Sequence, residues 1–295
     1  MDRRLETSRL IIFLLATFAI SWIPLIIVDC YGFRCGEGKT QIEQLLGLGM
    51  FAPAIGHIFT RWITKEGWAV VGKDSMKLGI SLADKKWRYF LFAMLVPWLY
   101  SEIGNGLRLL TFPGIYDSGY AVSQGLNSKM AYVYPLAAII TGVVVNCAAF
   151  GEEFGWRGYM MPKMIKLWGI KKAIFIGGII WGIWHAPLTV VGHNFGTDYP
   201  GFPYVGILLM CILCTFMGMM LTYITIKSGS IWPAAIMHAV NNAGPTVLAW
   251  FINPDKVDQV CANILVEWIF MLIPIIVIGS TCMVFLCKQN KVSEE

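Results

Sequence analysis

Three short clusters of polar residues stand inside otherwise apolar stretches of this 295-residue chain. They are Glu152-Glu153-Phe-Gly-Trp-Arg157, Trp181-Gly-Ile-Trp-His185 and His238-Ala-Val-Asn-Asn242. Together they offer a carboxylate, two imidazoles and an amide, the set that amide hydrolysis needs. One group takes a proton from water, another returns it to the leaving amine, and neutral donors hold the oxyanion. On a helix, Glu153 and Arg157 are an i,i+4 pair on one face and form an ion pair. Glu152 is rotated by about 100° from Glu153 and stays free to act on something else. His238 and Asn242 likewise share a face one turn apart, whereas Asn241 is turned away and reads as a packing residue. Taken singly, each cluster has a plain structural reading: an interfacial salt bridge, an interhelical hydrogen-bonding His, or a polar zipper. An ionisable group inside a bilayer costs about 3 kcal/mol on insertion scales, so three clusters able to meet point to function.

The elements that must position them are membrane helices. Of the residues, 57% are hydrophobic and only 14% are charged, against about 25% charged in a soluble domain. The pattern predicts an all-α polytopic membrane protein, a single domain over 1–295, with about eight transmembrane helices near 10–28, 42–60, 89–107, 133–151, 173–191, 206–226, 231–251 and 262–286. The run Leu10–Val28 is read as the first span and not a signal peptide, because no small-x-small cleavage site follows it. With these spans, 18 of the 23 Lys and Arg fall on one side and five on the other, so both termini are expected in the cytoplasm. The net charge of +5 then belongs to loops facing anionic lipid, and a nucleic-acid partner is excluded. In this frame Glu152 ends span four on the cytoplasmic side, and 158–168 runs along the inner interface. His185 lies mid-membrane, and Gly178 and Gly182 let a neighbouring helix approach closely. Cys30 and Cys35 share the first outer loop, where either a disulfide or two thiols fit. His57, near Arg61, reads as structural, Glu102 and Arg108 as a pair, and Glu267 has no evident partner.

At the three clusters the chain resembles the CPBP family, the intramembrane proteases related to the type II CAAX prenyl endopeptidase and to bacterial Abi proteins. That family's pattern is EExxxR, then FxxxH, then HxxxN or HxxxD. Glu152, Glu153 and Arg157 match the first motif, His185 the second, and His238 with Asn242 the third, with Trp181 standing where Phe is usual. The resemblance implies an eight-helix fold with its motif core over 150–243. It also implies endopeptidase activity on a membrane-anchored peptide or protein, prenylated or otherwise lipid-anchored, in a bacterial or archaeal plasma membrane. Glu152, His185, His238 and Asn242 are then the catalytic set, and Glu153, Arg157 and Trp181 support it. A non-catalytic membrane binder or bacteriocin-immunity protein is the alternative, and a proton-coupled transporter a weaker one, since no repeated halves are evident.

Two His and one Glu can also hold zinc, with water in the fourth position. The ligands would be Glu152, His185 and His238. The fourth polar member is Asn242, however, an uncommon zinc ligand and a good neutral donor, so no cofactor is the favoured reading. In that scheme Glu152 with His185 activates water, and His238 with Asn242 holds the oxyanion.

Overall fold

The computed structural model describes residues 2–35, 48–72, 74–125, 127–244, 246–260 and 264–292. Its helices are α1 (Arg3–Cys35), α2 (Ala52–Thr64), α3 (Trp87–Thr111), α4 (Ser118–Ser123), α5 (Ser128–Val145), α6 (Ala148–Gly155) and α7 (Met161–Trp168). They continue as α8 (Ile170–Trp184), α9 (Ala186–Val190), α10 (Tyr204–Ser228), α11 (Trp232–Ala243), α12 (Pro254–Val260) and α13 (Ile264–Val292). Among the described residues there is no sheet, only an isolated bridge between Tyr116 and Ile252. The fold is all-α and polytopic, and the protein is integral to a membrane.

A helix stands at each of the eight predicted spans, yet fewer qualify as full crossings. By length and apolar composition, the described residues give three: Arg3–Ile27, Tyr204–Ser228 and Leu265–Lys288. A fourth is added if Val133–Val144 and Ala148–Trp168, bent by 65°, form one span. Two of the others, α8 and α11, are cut short for local reasons. Pro187 follows His185, and the chain breaks there between α8 and α9. Gly244 ends α11 in the left-handed region at φ 58°, a conformation that glycine adopts freely. The 12 residues of α11 span about 18 Å, well under a hydrocarbon core of about 30 Å. At the first outer loop, α1 instead continues through Cys35. The side chains of Cys30 and Cys35 lie outside the described residues.

The motif helix also runs further than expected. Beyond α6 a π-helical turn, Trp156–Met160, joins directly to α7. Glu152 is therefore not at a helix end, and Lys163, Met164 and Leu167 of the expected interfacial stretch are buried. Small residues set the helix contacts. A Cβ at Gly178 would overlap Thr215, and one at Gly182 would overlap the Cys211 backbone, so α8 and α10 touch backbone to backbone as the spacing predicted. On the motif helix, a Cβ at Gly151 would come within 2.8 Å of the Met50 carbonyl oxygen.

The bundle has two chemically different ends. At one, Lys163 bonds Glu6 at 3.0 Å and Glu66 at 2.6 Å, Lys166 pairs with Asp74, and Arg3 donates to the Leu167 carbonyl at 3.1 Å. This end gathers the start of α1, the close of α2 and α7, and the start of α11, whose Trp232 indole donates to the Leu78 carbonyl. At the other end Arg108 pairs with Glu267, and Glu102 accepts from the backbone amides of Val247 and Leu248. The expected Glu102–Arg108 pair thus gives way to a pairing across the bundle that supplies Glu267 with its cation.

Candidate active site

The i,i+4 geometry of the first motif holds. Arg157 donates to Glu153 Oε1 at 3.0 Å, with both side chains buried. The same oxygen lies 2.9 Å from Nδ1 of His238, so Glu153 joins the motif helix to α11. Sequence reasoning gave Glu153 one partner, because helix geometry reports only neighbours on the same helix.

Glu152 points elsewhere, as its rotation required. Its Oε2 accepts from the Trp181 indole at 2.8 Å. Arg157 lies over the same ring, 4.1 Å from its centroid, and His238 meets the ring edge to face at 5.5 Å. Trp181 therefore does more than fill space. Its face takes the cation, and its N–H takes the carboxylate that Arg157 leaves alone. The signal was available in the sequence: a buried indole nearly always finds an acceptor, and Phe has no such donor.

His185 sits where α8 ends, and its Nδ1 lies 2.8 Å from the Trp181 carbonyl oxygen. A carbonyl only accepts, so Nδ1 carries the proton, and Nε2 of the neutral ring keeps its lone pair. Cys214 Sγ is 3.9 Å from the same ring nitrogen. On α11, Asn242 Oδ1 accepts from Asn241 Nδ2 at 3.2 Å, and Asn241 Oδ1 accepts from the Tyr100 hydroxyl. This chain leaves the Asn242 amide N–H groups without a protein acceptor among the described residues. Tyr100 and Asn241 were missed or read as packing. An aromatic residue in an apolar span carries no sign of such a role.

Glu152, His185, His238 and Asn242 line one cavity of about 490 Å³, with Trp181, Tyr100, Asn241 and Cys214 also in its wall. The structure thus brings all four candidate residues together. Glu153 and Arg157 are absent from the lining and support it from behind. His57 is structural, accepting from Arg61 at 2.7 Å and meeting the Phe154 carbonyl oxygen at 2.9 Å. Among the described residues no three His, Cys, Asp or Glu side chains are grouped as metal ligands. The Glu152/His185/His238 ligand set is therefore not supported.

Residues 134–244 match the family model described as Type II CAAX prenyl endopeptidase Rce1-like. The chain is also 31% identical over 144 residues to the CAAX prenyl protease 2 of Methanococcus maripaludis. That alignment covers 48% of this chain and 51% of the relative, so the chain spans about half the length of the curated protein it matches. The family match covers every catalytic position read from the sequence, from Glu152 to Asn242. Over residues 134–244 the chain is thus similar to the Rce1-like type II CAAX prenyl endopeptidases.

Proposed function

We propose that this protein is an intramembrane endopeptidase that cleaves a membrane-anchored polypeptide, with Glu152 as general base. One observation carries the reading: Glu152 lines the cavity together with His185, His238 and Asn242, while Glu153 alone takes the Arg157 charge. In this scheme Glu152 and the Nε2 lone pair of His185 draw a proton from water, and the hydroxide formed attacks the scissile carbonyl carbon. The Asn242 amide and the protonated His238, whose Nδ1 faces Glu153, donate to the oxyanion. Collapse of the tetrahedral intermediate breaks the C–N bond, and Glu152 passes its proton to the leaving amine. Every step uses side chains of this chain. The relative's printed name supports a lipid-modified substrate as one member of the class. The enzyme works in a bacterial or archaeal plasma membrane, with both termini in the cytoplasm.

The test compares purified wild type and Glu152→Ala on membrane-anchored peptides in detergent or vesicles, with products identified by mass. Cleavage by wild type alone is expected. Equal cleavage by both proteins refutes the assignment. Wild type that binds the peptides tightly without cutting any would return the reading to a binder.

A further inference from the structure

We propose that the crevice between α7 and the end of α10 is a second binding site, which takes the anionic head and first carbons of an acidic membrane lipid. Its walls include Lys77, Arg157, Met161, Ile165, Thr222 and Ile226, and it encloses about 240 Å³. None of its lining residues borders the catalytic cavity. The site stands apart from the peptidase reading and does not depend on it.

Two buried donors there lack acceptors. Arg157 is 3% and Thr222 2% exposed, and neither the Arg157 Nε nor the Thr222 hydroxyl has a hydrogen-bond partner. A guanidinium carries five N–H donors. Arg157 donates to Glu153 from Nη1, so that bond leaves Nε unsatisfied. Thr222 is also out of keeping with its own helix. Thr215 and Thr225 of α10 donate to the Cys211 and Leu221 carbonyls at 2.7 and 2.8 Å, whereas Thr222 makes no such bond. Buried polar groups are nearly always paired, and an unmade bond costs more than a made one gains. Both donors call for an acceptor from outside the chain.

The rest of the lining says which acceptor. Lys77 adds a second cation and, among the described residues, no Asp or Glu lines the crevice, so an anionic oxygen fits better than a neutral one. Met161, Ile165 and Ile226 supply apolar walls that a free inorganic anion would leave uncovered. An apolar cavity of about 150 Å³ holds benzene. This one therefore has room for a head group's oxygens and a few carbons, but not for a whole lipid. The depth agrees. Thr222 lies six residues before α10 ends at Ser228, about 9 Å along the helix, and α10 is one of the full crossings. The buried floor thus sits where hydrocarbon gives way to head groups, while Ile226 and Gly229 at the rim are exposed.

The test gives purified protein in neutral detergent a phosphatidylglycerol with a photoreactive group on its first acyl carbons, and maps the cross-links by peptide mass. Cross-links on 161–165 and 222–229 are expected, competed by plain phosphatidylglycerol but not by phosphatidylcholine or millimolar inorganic phosphate. Thr222→Val keeps the side-chain shape and removes the unpaired hydroxyl, a change that is neutral or stabilising. It should melt no lower than wild type without lipid, yet bind phosphatidylglycerol about tenfold more weakly, the scale of one charge-assisted hydrogen bond. Lys77→Gln should weaken binding alike, and Lys171→Gln, outside the crevice, should bind as wild type does. Cross-links only elsewhere, equal competition by phosphatidylcholine, or wild-type binding by both crevice variants would each overturn the proposal. Displacement by inorganic phosphate would reduce the site to one for a free anion and overturn the lipid assignment. If Thr222→Val does not fold, Lys77→Gln and the cross-link map decide.

Discussion

The sharpest consequence of the site concerns two adjacent carboxylates with opposite roles. Glu153 is fully buried, and one of its oxygens serves both Arg157 at 3.0 Å and His238 at 2.9 Å. Glu153→Gln keeps the shape and removes the charge, leaving the Arg157 guanidinium without its anion. Breaking a buried pair in this way costs about 3–5 kcal/mol. The Trp181 face stays in place at 4.1 Å and offsets about 2 kcal/mol of this, the scale of a desolvated cation–π contact. A net loss of about 1–3 kcal/mol remains, roughly 2–6 °C in melting temperature for a chain of this size. Glu152→Gln differs, because the amide oxygen still accepts from the Trp181 indole and no cation is orphaned. It should melt within about a degree of wild type, since the change keeps the shape and the Trp181 hydrogen bond, yet lose all peptidase activity. Thermal unfolding of the purified variants in one detergent, run beside the cleavage assay, separates the two effects. Equal melting temperatures, or an active Glu152→Gln, would refute the division of labour.

Other outcomes follow from the same geometry. Asn242→Ala should lower kcat by about 10²–10³-fold, the usual loss for one oxyanion donor, with KM little changed, and Asn242→Asp should be poor because its charge repels the oxyanion. Prolonged chelation should leave activity intact. Loss of activity together with a stoichiometric zinc, restored on adding the metal back, would overturn the metal-free scheme. At the basic end, burial alone would raise the Glu66 carboxyl, but hydrogen bonds from Lys163 and Tyr159 outweigh it and hold the group below the usual range. A depressed carboxyl stabilises the fold above its unfolded value and stops doing so as pH falls through its folded value. Wild type should therefore lose stability below about pH 4, and Glu66→Gln should show a flatter acid limb in melting temperature against pH.

What the sequence made legible was local. The Glu153–Arg157 pair and the separation of Glu152 follow from residues per turn, and the Gly178/Gly182 contact from a spacing of four. The site's cross-bundle links were not legible. Glu153 reaches His238 across 85 residues, and Arg108 meets Glu267 across 159. The nearer Glu102 looked the better partner because sequence distance was the only distance in view. Helix ends were missed for a different reason. Hydropathy runs on through Pro187 and Gly244, so an apolar count joins segments that the backbone separates. The depth of Glu152 was misjudged in the same way, since the polar EExxxR motif looked like a helix end when it lies inside a continuing helix.

The π turn at Trp156–Met160 acts as a fixed-length spacer. Upstream of it, Gly151 and Gly155 pin the helix against Met50 and Pro53 with no room for a methyl group. Downstream, Lys163 is pinned to Glu6 and Glu66. Removing one residue between these anchors would turn everything beyond it by about 100°, and either Glu152 would leave the cavity or Lys163 would leave its carboxylates. The number of residues between positions 153 and 163 is therefore fixed as firmly as the identities of Gly155 and Arg157 themselves. A single-residue deletion there should inactivate even when every named contact residue is kept.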